Sequence, residues 1–598
     1  DMGIVLVGEN NPDAANAYHN LGWSYWNNGD LDSAIVNIEK SAAIIQKFEK
    51  NQAAIRIYHS LGFLYVNAGR YADAMKILRL SVETIERVRK LNLSAGTDFT
   101  SRNINTFYYA MNSCYLQKDM ESMFNISERM RAMGYVERLS IGSAIEGAGI
   151  DTVKGKMLIQ LRDVIERLSS LRQKVISEPV TAMNEKDKSY HDALLEKVSA
   201  DLVQAETDFN ALESEFMKNE KYKLLRDPSV VSVKTAQELC GKDGAIIEYV
   251  IPEKPDNYMQ PCVIVITGNS IDSVELDPSY NYSEQIEKYR KAIRENNTAE
   301  TGSSGSELYI RLVEPLMSRI NLPGIRRLII VPDGSLAFLP FDALRSRSGE
   351  YLSAMYEINL TPSVTVSAMI KKRRYLKRDN LMAFGGGLYS VKGESSVRGK
   401  LSMRGIVLDE SEKERVAIKA YNSPLEYYTA QKISWIDLPG TEREVLAINE
   451  KIYRKKNSDL YTGKNVTEEK LKSFSKNGTL KKYSSIHLAC HGYYDPEYPA
   501  YSAVVFSEVS GKLKESKEDG YMSVEETALL DLQSEIVVLS ACETGLGRMV
   551  SGDGVIGLTR AFQVAGSNRV LVTLWQVSDE ATEAFMVSFY AKVRSGMS

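Results

Sequence analysis

An internal repeat constrains the fold of this chain more than any other feature. Tyr18, Leu21, Gly22, Tyr25, Gly29, Leu31 and Ala34 recur as Tyr58, Leu61, Gly62, Tyr65, Gly69, Tyr71 and Ala74, each displaced by 40 positions (58 − 18). Small residues at Gly22, Ala34, Gly62 and Ala74 let two antiparallel helices approach closely, and Gly29 and Gly69 fall at the turn between them. Such a unit buries its apolar face only against a neighbour, so further repeats are expected before residue 1. The first residues run straight into the repeat without an initiator Met, and the natural chain is expected to begin earlier.

This spacing of large and small residues is similar to the tetratricopeptide pattern, whose usual period is about 34 residues. The surplus is expected to lengthen the second helix of each pair, over 31–49 and 71–91, and a degenerate third unit with Tyr108, Tyr109 and Tyr115 follows at 104–134. Residues 1–140 therefore read as all-α repeats and 141–235 as a long helical linker. Within the linker, 152–175 and 185–226 read as amphipathic helices meeting near Pro179. Leu195, Val198, Leu202, Ala205, Phe209, Leu212 and Phe216 step by three and four, which keeps one apolar stripe in line. A hairpin packed between domains is preferred to an intermolecular coiled coil.

From about residue 236 the pattern changes to strands alternating with helices. AIIEYV (245–250) and CVIVIT (262–267) read as paired strands, and helices are expected at 281–296 and 306–320 around a loose TAETGSSGS. RRLIIV, YEINL (356–360), LMAFGGG (381–387), 484–490, 535–540 and 569–574 continue the strands. Helices are expected from Pro362, near 523–531, and at 553–564 and 579–592, while the polar stretch 388–430 reads as a mobile insert. Apolar strands in this order argue for a mostly parallel sheet covered on both faces, over 236–598. Only six residues follow the last expected helix (598 − 592), so the C-terminus is expected to be cut as well.

Net charge −4 and a pI near 6.0 argue against direct nucleic-acid binding. No apolar run approaches the roughly 18 residues of a membrane span, and there is no signal-peptide pattern. Five scattered cysteines (Cys114, Cys240, Cys262, Cys490 and Cys542) suit a reducing compartment, and the cytoplasm is the expected location. No cofactor or metal is expected. There is no GxxxxGK segment, Gly385-Gly386-Gly387 lacks the rest of a dinucleotide fingerprint, and adjacent Cys490 and His491 project oppositely instead of converging on zinc.

Two strands run into reactive side chains. IHLACHGYYD (486–495) delivers His491, and EIVVLSACETGLG (535–547) delivers Cys542. Chemistry in α/β sheets sits at the carboxyl ends of neighbouring strands, and a base beside a thiol forms a nucleophilic dyad. Their separation of 51 positions (542 − 491) leaves room for one strand-to-strand connection. Small residues flank both sites, and the N–H groups of Gly492 and Cys542 are the candidates for an oxyanion hole. His487, four residues before His491 on the same face, reads as structural, and Cys490, on the opposite face, as core.

The runs LIIVPDGSLAFLPFDAL, YEINLTPS, LPGTEREV, HLACHGYYD, LSACETGLG, GDGVIGLTRAF and VLVTLWQVSDEAT, in that order, resemble the CHAT domain. That domain is a caspase-like member of the clan containing caspases and separase. Joined to the repeats, it resembles the TPR-CHAT arrangement of bacterial proteins. The resemblance implies a cysteine peptidase with His491 as base and Cys542 as nucleophile. A common bacterial form has Thr before the His-Gly pair where this chain has Cys490. In related proteins the repeats bind a regulator or substrate, and some act in antiviral defence.

In caspase-like folds the segment after the next strand, here Trp575 to Asp579, lines the substrate cleft. Trp575 is a candidate pocket wall, and Asp579 either attracts a basic P1 residue or caps the helix that follows; Asp553 has the same two readings. The expected partners are a protein substrate encoded nearby and a regulatory protein or nucleoprotein complex on the repeats. The rival to an enzyme is a catalytically silent scaffold in which the CHAT-like domain only transmits state.

Overall fold

The computed structural model describes residues 11–48, 53–91, 98–136, 185–219, 230–252, 259–320, 324–373, 378–389, 435–493, 502–510, 518–540, 548–550, 554–574 and 579–596, with isolated positions in 153–175 and at 222 and 516. The expected insert at 388–430 lies outside these residues from 390 onward, as does Pro179.

Three helical pairs open the described chain: Pro12–Asn27 with Leu31–Ile45, Ala53–Asn67 with Tyr71–Leu91, and Asp98–Leu116 with Met120–Val136. The repeat residues do what their sizes dictate. Gly29 and Gly69 turn the chain at φ +80° and +72°, and in the degenerate third unit Lys118 takes the same left-handed place at φ +60°. A Cβ at Gly22 would lie 2.4 Å from Ile38, and one at Gly62 would lie 2.3 Å from Leu78, so only glycine permits these helix contacts. Tyr71–Leu91 runs the full expected length, whereas Leu31–Ile45 stops before its expected end at 49.

The region expected as one sheet-bearing domain contains two five-stranded sheets. The first has the order β3-β2-β1-β4-β5, with β1 Gly244–Val250, β2 Cys262–Thr267, β3 Ile271–Glu275, β4 Arg327–Val331 and β5 Glu357–Leu360. β1 and β2 pair, as expected, and do so antiparallel, while β4 and β5 extend the sheet in parallel. Alternation along the strands divides the sheet's two faces. Ile246, Val250, Ile264, Ile266, Ile329 and Val331 join the apolar core of the repeats, while Ala245, Ile247, Tyr249, Val263 and Val265 pack under the helices Tyr282–Arg294 and Thr298–Leu312.

The second of those helices corrects the sequence reading, which left TAETGSSGS as a loop. Asn297 caps it by accepting from the Glu300 N–H at 3.1 Å, Ser304 donates to Glu300 at 2.6 Å, and Gly305 sits where any Cβ would touch the Tyr289 ring at 3.0 Å. Helix packing outweighs the poor propensity of its glycines and serines.

Charged side chains bind the repeats to this sheet. Arg131 and Glu248, both with fully buried side chains, pair at 3.1 Å, and Arg131 also donates to Pro332 O at 2.9 Å and to Tyr249 O. Asp333 accepts from Ile251 N at 2.8 Å and from the Tyr108 hydroxyl at 3.3 Å. Three residues before Arg131 on the same helix (131 − 128), Glu128 accepts from the first two N–H groups of the helix Val364–Lys372, at 2.9 and 2.7 Å.

The linker residues Leu158, Ile165, Ala205, Phe209 and Phe216 share a core with Val366, Ala528, Ala561 and Val564. Part of the apolar stripe of Glu185–Phe216 is thus packed within the chain. The second sheet has the order β15-β12-β8-β6-β7, all parallel: β6 Leu381–Gly387, β7 Ser458–Gly463, β8 Ser485–Ala489, β12 Ile536–Leu539 and β15 Arg569–Val572. Helices Glu468–Lys476 and Leu558–Ala565 cover one face, and Pro439–Ala447 and Asp579–Arg594 the other.

Candidate active site

Numbered within the second sheet alone, the strands run 2-1-3-4-5, and the order reverses between β6 and β8. At such a reversal the loops leave in opposite directions and open a crevice at the carboxyl edge. β8 runs out at Ala489, and its chain bends at Cys490 into a second, three-stranded sheet. There β9 His491–Tyr493 pairs with β10 Ala503–Val505, which pairs with β11 Tyr521–Ser523. His491 therefore opens β9 opposite Val505, and Gly492 stands opposite Val504.

β12 lies beside β8 in parallel, with Leu539 opposite Leu488 and the Ser540 N–H donating to Leu488 O at 3.0 Å. His491 and Cys542 each follow that matched pair by three residues (491 − 488 and 542 − 539). Cys542 itself lies outside the described residues, as do Asp553 and Trp575. Asp579 opens the helix Asp579–Arg594, but its side chain is outside the described set. The helix expected at 553–564 starts at Leu558, because β14 Gly554–Ile556 pairs with β13 Arg548–Val550. The position before that helix is held by Gly557, and a strand opens at Gly554, next after Asp553 in the sequence.

The imidazole of His491 is buried and held on three sides. Its Nε2 lies 2.7 Å from Ile436 O. A carbonyl only accepts, so Nε2 carries a proton and, in the neutral ring, Nδ1 is the basic nitrogen. The Tyr389 ring meets the imidazole edge-on at 4.6 Å between centroids, and Trp435 lies tilted over it at 4.9 Å. Sequence reasoning assigned no third group to the base; the structure supplies a main-chain carbonyl from 55 residues away. ISWIDLPG carries no motif that marks the role in advance.

His487 is accounted for as structure. Its Nε2 lies 3.0 Å from the Glu444 carboxylate and its Nδ1 3.2 Å from the Tyr590 hydroxyl, all three fully buried. Cys490 packs with Met382, Phe384, Ile486 and Leu488 on the opposite face, as expected for core. The four described cysteines, Cys114, Cys240, Cys262 and Cys490, are all buried. Burial pushes Cys114 up to about 12, Cys240 up to about 11 and Cys262 higher still, so these thiols stay protonated. Glu468, Glu518 and Glu526 come together, but the Lys472 ammonium sits among them at 2.5–2.8 Å, which makes the group an ion-pair cluster. Among the described residues no helix is long and apolar enough to cross a membrane.

A family model of the CHAT domain matches residues 302–598, and a tetratricopeptide-repeat model matches 13–87. Tetratricopeptide repeat protein 28 of Mus musculus is 24% identical over 304 residues and that of Homo sapiens 24% over 300. These matches take in 46% of this chain and 11% of each relative, so the chain spans about a tenth of the length of the curated relatives it matches. A chain in the crystal structure of the Saccharomyces cerevisiae separase–securin complex aligns with 98% of this chain over 51% of its own length, at 10% identity and a TM-score of 0.34.

Proposed function

Because the chain joins tetratricopeptide repeats to a CHAT domain of cysteine-peptidase-like fold, we propose that it is a cysteine endopeptidase. It cleaves a specific protein substrate under the control of its repeats. The observation that carries this reading is the register of β8 and β12: parallel neighbours, with the base and the thiol at the same distance beyond one matched pair.

In the proposed reaction His491 takes the Cys542 thiol proton, and the thiolate attacks the scissile carbonyl carbon. The oxyanion that forms accepts from the Gly492 and Cys542 N–H groups. Collapse breaks the C–N bond, and the imidazolium gives its proton to the leaving amine. Water, deprotonated by His491, then hydrolyses the thioester and restores the thiol. The Ile436 carbonyl supports the imidazolium by accepting from Nε2–H. Trp575, Asp579 and Asp553 are the proposed cleft residues. If Asp579 faces the pocket, cleavage follows Arg or Lys.

Control by the repeats has physical support in one helix. Glu128 of the last repeat holds the start of Val364–Lys372, and Arg373 at its end donates to Gln563 O at 2.6 Å and Ser567 O at 3.2 Å. Those carbonyls lie at the end of Leu558–Ala565, the helix that follows the Cys542 segment. A regulatory protein or nucleoprotein complex on the repeats is the proposed trigger, and bacterial antiviral defence in the cytoplasm the proposed setting. Wild type, C542A and H491A, each incubated with proteins encoded beside the gene, should differ in intact-mass spectra: fragments from wild type alone. Fragments that persist with C542A would remove Cys542 from the reaction, and a wild type that cuts none of them but binds one would favour the scaffold.

A further inference from the structure

We propose that Trp435 and Tyr389 are positioning residues that cage His491 and aim its basic edge at the thiol. This inference rests on the dyad reading above and deepens it. Ile436 supplies the carbonyl that His491 Nε2 meets, yet Ile436 is itself 41% exposed, so its own side chain does not fix that carbonyl in place. The fixing is done next door. Trp435 is buried, its indole N–H donates to the Tyr521 hydroxyl at 2.8 Å, and its ring lies tilted over the imidazole.

Tyr389 closes the other side. Its hydroxyl donates to Val505 O at 3.1 Å, on the strand residue opposite His491, and its N–H donates to Asp437 Oδ1 at 2.7 Å. The end of β6, the 435–437 segment and strands β9 to β11 are thereby locked to one another around one ring. Tyr389, Trp435, Tyr493, Ala503, Val505 and Tyr521 form a single buried cluster. Burial, with Cys490 alongside, holds the Tyr389 phenol well above its usual range, so the ring beside the base stays neutral. Among the described residues, the titratable groups on the elements packed round the imidazole include Tyr389, Asp437, Cys490, Tyr493, Asp519 and Tyr521.

Two effects follow from this geometry. Rings on two sides limit the imidazole to small rotations about the direction set by Ile436 O, so that Nδ1 keeps one heading. The face of Trp435, tilted over the imidazole at 4.9 Å, also favours the imidazolium over the neutral ring, which promotes proton transfer from sulfur.

The test needs no substrate. Alkylation of Cys542 by iodoacetamide in the full chain is followed by peptide mass mapping from pH 5 to 9, with the buried cysteines as internal references. An unassisted thiol slows about tenfold per unit below its pKa of about 8.5. Wild type should keep a reactive limb near pH 6 that H491A lacks. W435L should lower the rate at pH 6 by about tenfold, and W435F, which keeps an aromatic ring but loses the indole N–H, and Y521F, which removes the hydroxyl that accepts from it, by about threefold. The unfolding midpoint of each variant identifies those that remain folded. If W435L does not fold, W435F and Y521F decide.

Folded cage variants that match wild type at pH 6, while H491A loses the limb, overturn the cage and leave the dyad standing. A wild type without the limb, or an H491A that retains it, overturns the dyad and the cage together.

Discussion

Glu128→Ala should free the helix Val364–Lys372 from the repeats. A helix begins with N–H groups that have no partner inside it. At this one, Ser363 accepts from Val366 N at 3.1 Å, Ser367 N reaches Ser363 O at 3.2 Å, and the Glu128 carboxylate takes Val364 N at 2.9 Å and Thr365 N at 2.7 Å. Glu128 is fully buried, so bulk water does not reach these groups. Alanine leaves two buried N–H donors unmet, at about 1–3 kcal/mol each, takes the acceptor from the Thr365 hydroxyl as well, and removes a favourable charge at the helix start worth about 0.3–1 kcal/mol. The expected loss is about 3–5 kcal/mol, near the middle of that range. Glutamine keeps an acceptor of the same reach and should cost about 1–2 kcal/mol.

Hydrogen–deuterium exchange on a peptide covering 361–372 reads this locally. A loss of about 3 kcal/mol corresponds to roughly 150-fold faster exchange at Val364 and Thr365, at tenfold per 1.4 kcal/mol. The reasoning is refuted if E128A exchanges within about threefold of wild type, or if E128Q exchanges as fast as E128A.

Three further outcomes are expected. Burial, with Glu128 adding to it, raises the Glu248 carboxyl to about 7 against the opposing pull of Arg131, above the ordinary 4.5. The folded state therefore holds a proton that the unfolded chain gives up, so this contribution is full below about pH 4.5 and is lost as pH rises through about 7. Urea midpoints at pH 5.5 and 8 should fall more steeply in wild type than in E248Q, and equal slopes would remove Glu248 as the cause. His487→Ala leaves the Glu444 carboxylate buried beside Tyr590 and should destabilise the chain by about 3–5 kcal/mol, while Cys542 in the protein that remains folded alkylates as in wild type. Loss of that reactivity would show that His487 acts in the dyad. Gly302→Ala, in the helix Thr298–Leu312 with nothing within 4 Å of the added Cβ, should raise stability by about 0.5–1 kcal/mol in thermal unfolding, whereas no gain would argue against helix there.

What could be read from sequence was whatever rests on local pattern. The repeat glycines declare their turns, and apolar runs such as IIEYV, VIVIT and VVLS can only be buried strands. The strand before each reactive residue was legible for the same reason. Division into two sheets was not, because strand partners are chosen in three dimensions: YEINL joins RLIIV, whereas LMAFGGG turns to IHLA. β9, β10 and β11 were missed because three-residue strands carry no period. Thr298–Leu312 was missed because Tyr289 and the Asn297 cap stabilise glycines and serines that favour a loop when alone. The support of His491 comes from a main-chain carbonyl and two aromatic rings, and such contacts leave no spacing in a sequence.

The central claim is that His491 and Cys542 face each other from adjacent strand ends. A crystal structure with a peptidyl electrophile bonded to the Cys542 sulfur measures this directly. The account predicts His491 Nδ1 within about 3–4 Å of that sulfur, with Nε2 still on Ile436 O. A sulfur on the opposite face of the sheet, or an imidazole turned away by more than about 7 Å, contradicts it.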